Sequence, residues 1–133
     1  MNIGQAAEAS GVSAKAIRYY ETAGLIAPAG RSEGHYRVYD EADIRVLRFV
    51  RRARDLGFSI ERIKRLLDLW RDKRRASADV KRLALEHAAE IDAKIAALSA
   101  MRDTVQELAA SCDGDHRPDC PILRDLEGSN SYS

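Results

Sequence analysis

Apolar residues recur along this chain at helical spacing, in four short runs and one long one. In the first, Ile3, Ala6 and Ala7 share a face behind Asn2, a residue type that caps helix starts, and Gly11 ends the run. In the second, Ser13 caps residues 14–23 with Ile17 inward, and Gly24 closes it. Between residues 27 and 39 the period shortens: Tyr36 and Val38 alternate with Arg37 and Tyr39, and Gly30 and Gly34 supply turns, so a small hairpin is predicted. Asp40 then caps a third helix through Leu56, buried through Ile44, Leu47, Val50 and Ala53, and Gly57 stops it. Ser59 caps a fourth, with Phe58 and Ile63 spaced as a hydrophobic staple and Leu66, Leu67 and Trp70 on the inner face.

The long run covers 77–110 without a Pro or Gly. Set in heptads from Ser77, the a positions are Ser77, Ala84, Ile91, Leu98 and Val105, and the d positions are Val80, His87, Lys94, Met101 and Leu108. A helix of this length reaches about 50 Å. It outruns a domain of this size, so its stripe is expected to pair with a second copy of itself. His87 reads as a packed or interface histidine and Met101 as core.

Charge divides the chain. Residues 1–75 hold 16 Lys and Arg against 10 Asp and Glu, a surplus of six positive charges; residues 76–133 hold 6 against 11, a surplus of five negative. The basic front half points to a polyanion partner. Two short helices joined by a Gly-containing turn make a helix-turn-helix, whose second helix enters the DNA major groove. On that helix Lys15, Arg18, Tyr19 and Thr22 share an outward face; Lys15 and Arg18 suit base edges or phosphates, and the tyrosine hydroxyls suit phosphates. The hairpin, with Arg31 and Arg37, is either a wing on the phosphate backbone or an ordinary capping hairpin. The start of the chain has no basic and apolar leader pattern, and no run approaches transmembrane length, so a cytoplasmic protein with no membrane partner is expected. No Ser/His/Asp set, phosphate-binding Gly loop or pair of catalytic carboxylates stands out, so no enzyme is expected.

The two cysteines frame a loop, Cys112-Asp-Gly-Asp-His-Arg-Pro-Asp-Cys120, followed by Pro121. Pro121 suits the first position of a short helix, which sets Cys120 at a helix N-terminus, where the dipole favours a thiolate. Gly114 and Pro118 let the loop fold back so that both sulfurs face one point. In a reducing compartment such a pair suits three uses: inert buried thiols, a redox switch, or a soft metal site. A soft dithiolate suits a low-valent ion such as Cu(I), which two collinear thiolates satisfy. Zn(II) takes four ligands, and this loop adds only His116 and carboxylates to its two sulfurs.

The segments Ala16-Ile-Arg-Tyr-Tyr-Glu21, Gly24-Leu25, Tyr36-Arg-Val-Tyr39 and Ala53-Arg-Asp-Leu-Gly-Phe58-Ser-Ile60 resemble, in this order, the MerR family of bacterial transcription regulators. The resemblance implies a mainly α fold. Residues 1–75 form a winged helix-turn-helix reader, with the helix-turn-helix at about 2–23, a β wing at about 27–39, and helices at about 41–56 and 60–72. Residues 76–110 form a dimerisation helix that pairs as an antiparallel coiled coil, 111–127 a metal-binding loop and short helix, and 128–133 a disordered tail. Carried over by position, Lys15, Arg18, Tyr19 and Tyr20 lie on the recognition helix, Arg31, Tyr36 and Arg37 on the wing, and Arg54 on the third helix as a phosphate contact.

The loop is similar to the copper-responsive, CueR-type branch, whose effectors are Cu(I), Ag(I) and Au(I) held by two cysteines, here Cys112 and Cys120. Divalent-metal members carry a third cysteine where this chain has Ser77, a residue that can cap the helix and close the metal site of a neighbouring subunit. The resemblance therefore implies a homodimeric activator of copper efflux or detoxification genes. It would bind double-stranded promoter DNA with bacterial RNA polymerase and distort that DNA when metal is bound. The alternative is a thiol-redox regulator using the Cys112 and Cys120 pair.

Overall fold

The computed structural model describes residues 1–27, 30–31 and 37–128. It divides into two compact units, Met1–Arg82 and Leu83–Ser133. In the first, α1 (Ile3–Ser10) and α2 (Ala14–Thr22) are followed by β1 (Gly30–Arg31) and β2 (Arg37–Val38), then α3 (Glu41–Asp55) and α4 (Ile60–Arg71). The strands pair antiparallel, Gly30 opposite Val38 and Arg31 opposite Arg37.

Each helix start has its own local cause. The side chains of Asn2, Ser13, Asp40 and Ser59 accept hydrogen bonds from the amides of Gln5, Ala16, Asp43 and Arg62. Asn2 with Gln5, and Asp40 with Asp43, complete reciprocal capping boxes, which satisfy two otherwise orphaned donors each. Gly11 ends α1 at φ 75°, a backbone conformation that favours glycine; a Cβ there would also displace the flexible end of the exposed Arg51 side chain.

Helix α3 is the spine of this unit. Its Ile44 and Leu47 join Ala6, Val12, Ile17, Ile26 and Tyr39 in one buried cluster. One turn further on, Val50 and Ala53 join Leu25, Phe58, Ile63 and Leu67 in a second. The staple residues Phe58 and Ile63 are both buried, which fixes the entry of the chain into α4. Trp70, expected inward, remains 39% exposed and stacks on Phe49 with ring centroids 4.7 Å apart. Tyr39 is buried, and its hydroxyl donates to Glu21 of α2. Its backbone exchanges two hydrogen bonds with Met1: the amide donates at 2.7 Å to the Met1 carbonyl, and the N-terminal ammonium donates at 2.8 Å to the Tyr39 carbonyl.

Helix α5 runs Ser77–Ala110, crosses from the first unit into the second, and is followed there by α6 (Pro121–Leu126). Ser77 is the first residue of α5 rather than the residue before it, so Ala76 holds the position expected of the serine cap. Ile91, Ile95, Leu98, Met101 and Val105 are all exposed in the single chain. Leu83 and His87, one turn apart, are buried; Leu83 falls on the g position of the heptad reading, outside the expected seam. The tail beyond residue 128 lies outside the described residues.

Candidate metal centre and nucleic-acid interface

Cys112 follows the last turn of α5, where its amide donates to the Ala109 carbonyl. Cys120 occupies the N-cap of α6, with Pro121 directly after it. Gly114, at φ 65°, takes the left-handed conformation that turns the chain back between them. The two sulfurs lie 4.0 Å apart and both thiols are half-buried. The seven intervening residues therefore bring together the two atoms that the sequence marked.

Electrostatics distinguishes Cys120. The amide of Leu123 lowers its pKa most, partial burial opposes this, the Ile122 amide and the Cys112 thiol lower it further, and the Asp119 carboxylate pushes it back up. The net direction is down. The amide contacts favour the thiolate without forming a side-chain cap hydrogen bond.

Two metal–thiolate bonds of about 2.3 Å span about 4.6 Å when collinear, so at 4.0 Å a single ion reaches both sulfurs in a bent arrangement, and a collinear one needs the sulfurs to part by a few tenths of an ångström. Among the described residues no group of three or more His, Cys, Asp or Glu side chains is placed to hold a metal. His116 and Asp119 are exposed in the loop and do not complete such a group. The residues present fit a soft ion content with two ligands.

The loop carboxylates are tied into ion pairs. The Arg117 amide donates to Asp115 Oδ1 at 2.9 Å, its Nε to Asp115 Oδ2 at 2.8 Å, and a terminal nitrogen to Asp113 Oδ2 at 3.2 Å. Arg124, on α6, pairs with Asp119 at 3.2 Å. The Arg117 guanidinium and amide lower the pKa of Asp115. A depressed carboxyl pKa means that the pairing is intact above the ordinary carboxylate range and fails as pH falls through the lowered value. Nothing in the local sequence singles out Arg117 or Arg124 for this role. The one signal is the alternation Asp113, Asp115, Arg117, whose two carboxylates meet one guanidinium only once the loop has turned.

On the basic unit, Lys15, Arg18 and Tyr19 are exposed on α2, opposite the buried Ile17. Tyr20 is half-buried and packs against both core clusters. Arg54 donates to the Phe58 carbonyl at 3.2 Å, across the turn that ends α3. Arg48 donates to the Ala9 carbonyl at 3.0 Å, at the negative end of α1. Arg31 and Arg37 face each other across the strand pair; their side chains, and Tyr36 entirely, lie outside the described residues.

Residues 1–70 match the family described as "MerR HTH family regulatory protein", and residues 44–108 match "MerR, DNA binding". The chain belongs to the MerR family. It is thus a DNA-binding transcription regulator rather than an enzyme. It is 59% identical over 131 residues, 98% of this chain and 89% of the relative, to the heavy metal-dependent transcription regulator 2 of Rhizobium meliloti. It is 46% identical over 128 residues, 96% of this chain and 93% of the relative, to the transcriptional regulator CueR of Salmonella typhimurium. Among solved structures it resembles the transcription regulator PbrR691 of Ralstonia metallidurans in complex with lead(II), with a TM-score of 0.83 and 32% identity, covering 95% of this chain and 98% of the other. Among the described residues, no helix of this MerR-family chain is long and apolar enough to cross a membrane.

Proposed function

We propose that this chain is a homodimeric, metal-responsive transcription activator whose effector is a soft monovalent ion, Cu(I) with Ag(I) and Au(I) as equivalents, and that its targets are copper efflux or detoxification genes. The observation that carries the reading is the Cys112 and Cys120 sulfur pair, 4.0 Å apart at the N-terminus of α6. With no third ligand grouped beside it among the described residues, the site satisfies a two-coordinate ion and leaves a four-coordinate one short. Ser77 supplies no further sulfur. Relatives named as heavy metal-dependent and CueR support the same direction.

In this reading the reader, through Lys15, Arg18, Tyr19, Tyr20, Arg31, Tyr36, Arg37 and Arg54, holds half of a near-palindromic promoter site, and phosphate neutralisation supplies most of the affinity. The exposed stripe of α5 is covered by α5 of a second copy, antiparallel. Cys112 and Cys120 would hold the ion, which would supply a soft two-thiolate link between the end of α5 and the start of α6. The chain does the rest: the ordered loop seats α6, with exposed Leu123 and Leu126, near the Ser77 region of the second copy. The dimer then shifts between two states that differ in how strongly they bend and untwist promoter DNA for RNA polymerase. The energy available is the difference in ion affinity between those states, not the whole affinity.

Anaerobic titration of the reduced protein with Cu(I), and with Zn(II) in parallel under a competing chelator, tests this. The expected result is one Cu(I) per chain, lost in Cys112→Ser while promoter binding is retained. Zn(II) bound more tightly than Cu(I), or neither bound, overturns the assignment. The short sulfur separation and lowered Cys120 pKa also favour a second reading, a disulfide switch. Transcription that responds to peroxide and not to Cu(I) would select it.

A further inference from the structure

We infer that Arg117 is a positioning residue of the two-sulfur site: its guanidinium, held by Asp113 and Asp115, locks the loop in the folded form that brings Cys112 and Cys120 together. The inference rests on the proposed metal reading for its purpose, though not for its geometry.

Cys112 and Cys120 are joined by seven residues that form neither helix nor strand. A segment of that kind samples many conformations, and most of them separate its ends. The packing that would restrain it is absent, since residues 113–119 are all exposed. Polar contacts inside the loop are what define its shape. Arg117 makes three of these hydrogen bonds, its backbone amide and guanidinium each to Asp115 and the guanidinium also to Asp113, across the turn at Gly114. The amide contact to Asp115 closes a local side-chain turn, and the guanidinium spans from there to Asp113, beside Cys112. At the far end Arg124 holds Asp119, beside Cys120, back onto α6. Each cysteine thus has a neighbouring carboxylate fixed by an arginine.

These pairs are well exposed, so each alone contributes little. The forked donation from one guanidinium gives Arg117 a geometric role that a point charge lacks. A clasp of this kind does its work before any ion arrives, by raising the fraction of molecules whose sulfurs already face each other.

The test compares Arg117→Gln and Arg117→Lys with the unaltered full-length chain in two measurements. The first needs no metal: the equilibrium between the reduced pair and its disulfide in a glutathione buffer. In that exchange oxidised glutathione takes both electrons and leaves as two thiols, and the equilibrium gives the effective concentration of one cysteine at the other. The second is Cu(I) affinity under a competing chelator. Arg117→Gln is expected to lower the effective concentration about fivefold, and Cu(I) affinity by a similar factor, in line with the loss of a few exposed charge-assisted bonds. Arg117→Lys should restore only part of this. Thermal stability and promoter affinity should not move.

An effective concentration unchanged in Arg117→Gln overturns the clasp, whatever the metal data show. Full rescue by lysine also overturns it, because charge alone would then suffice. If the unaltered chain binds no Cu(I), the metal reading fails while the glutathione measurement still decides the role of Arg117.

Discussion

At Cys120 a field set by local sequence meets a charge set by the same loop. The Leu123 and Ile122 amides favour the thiolate, and the neighbouring Asp119 resists it. Because the pKa is lowered, the thiolate persists below the pH at which an ordinary cysteine is protonated. In Cys112→Ser, alkylation of Cys120 by iodoacetamide should therefore reach half its maximal rate at a lower pH than in an unstructured peptide carrying the same cysteine; an equal or higher midpoint would remove the effect of the α6 amides. The placement of Cys120 is readable from Pro121, since proline at the first helical position is a local preference. Arg117 is not readable, because a charge in a Gly- and Pro-containing loop has the same local signature whether solvated or paired. The same holds for Tyr39: its alternation with Val38 announces a strand, but its burial depends on Glu21 and Met1, which the chain brings from far away.

The helices show the same division between local and distant causes. Asn2, Ser13, Asp40 and Ser59 announce α1 to α4 because a cap acts within three residues of itself. The inner faces of α3 and α4 follow from period, except that Trp70 lies half outside on Phe49. In α5 the heptad reading marks Ile91, Leu98, Met101 and Val105, which are exposed in the single chain. It misses Leu83, because a seam register says nothing about a second buried face. Under the proposed self-pairing, Leu98→Asp sets a carboxylate into an apolar interface. The dimer dissociation constant should then rise at least about 100-fold, close to 3 kcal/mol. Sedimentation equilibrium reads this directly, and an unchanged mass would mean that α5 is not where two copies meet.

For the molecule as a whole, the decisive feature is the uneven charge, positive through residue 75 and negative after it. Phosphate contacts confined to the reader should make promoter binding fall steeply with salt. Arg18→Ala should weaken operator binding by about 1–3 kcal/mol if the side chain reads a base edge. A gel-shift series that shows no loss would take Arg18 out of the interface. The family is legible from a few motifs in order, whereas the partner copy and the DNA leave no trace in a single chain beyond uncovered surface. Neither sulfur is sealed in: both thiols are half-buried at the surface of their own unit. Under the proposed metal reading, a soft ion can pass from the thiolate of a carrier to one cysteine and then be held by both. The speed of switching on, and of switching off again, then belongs to sulfur-to-sulfur exchange and to whichever carrier stands at the door.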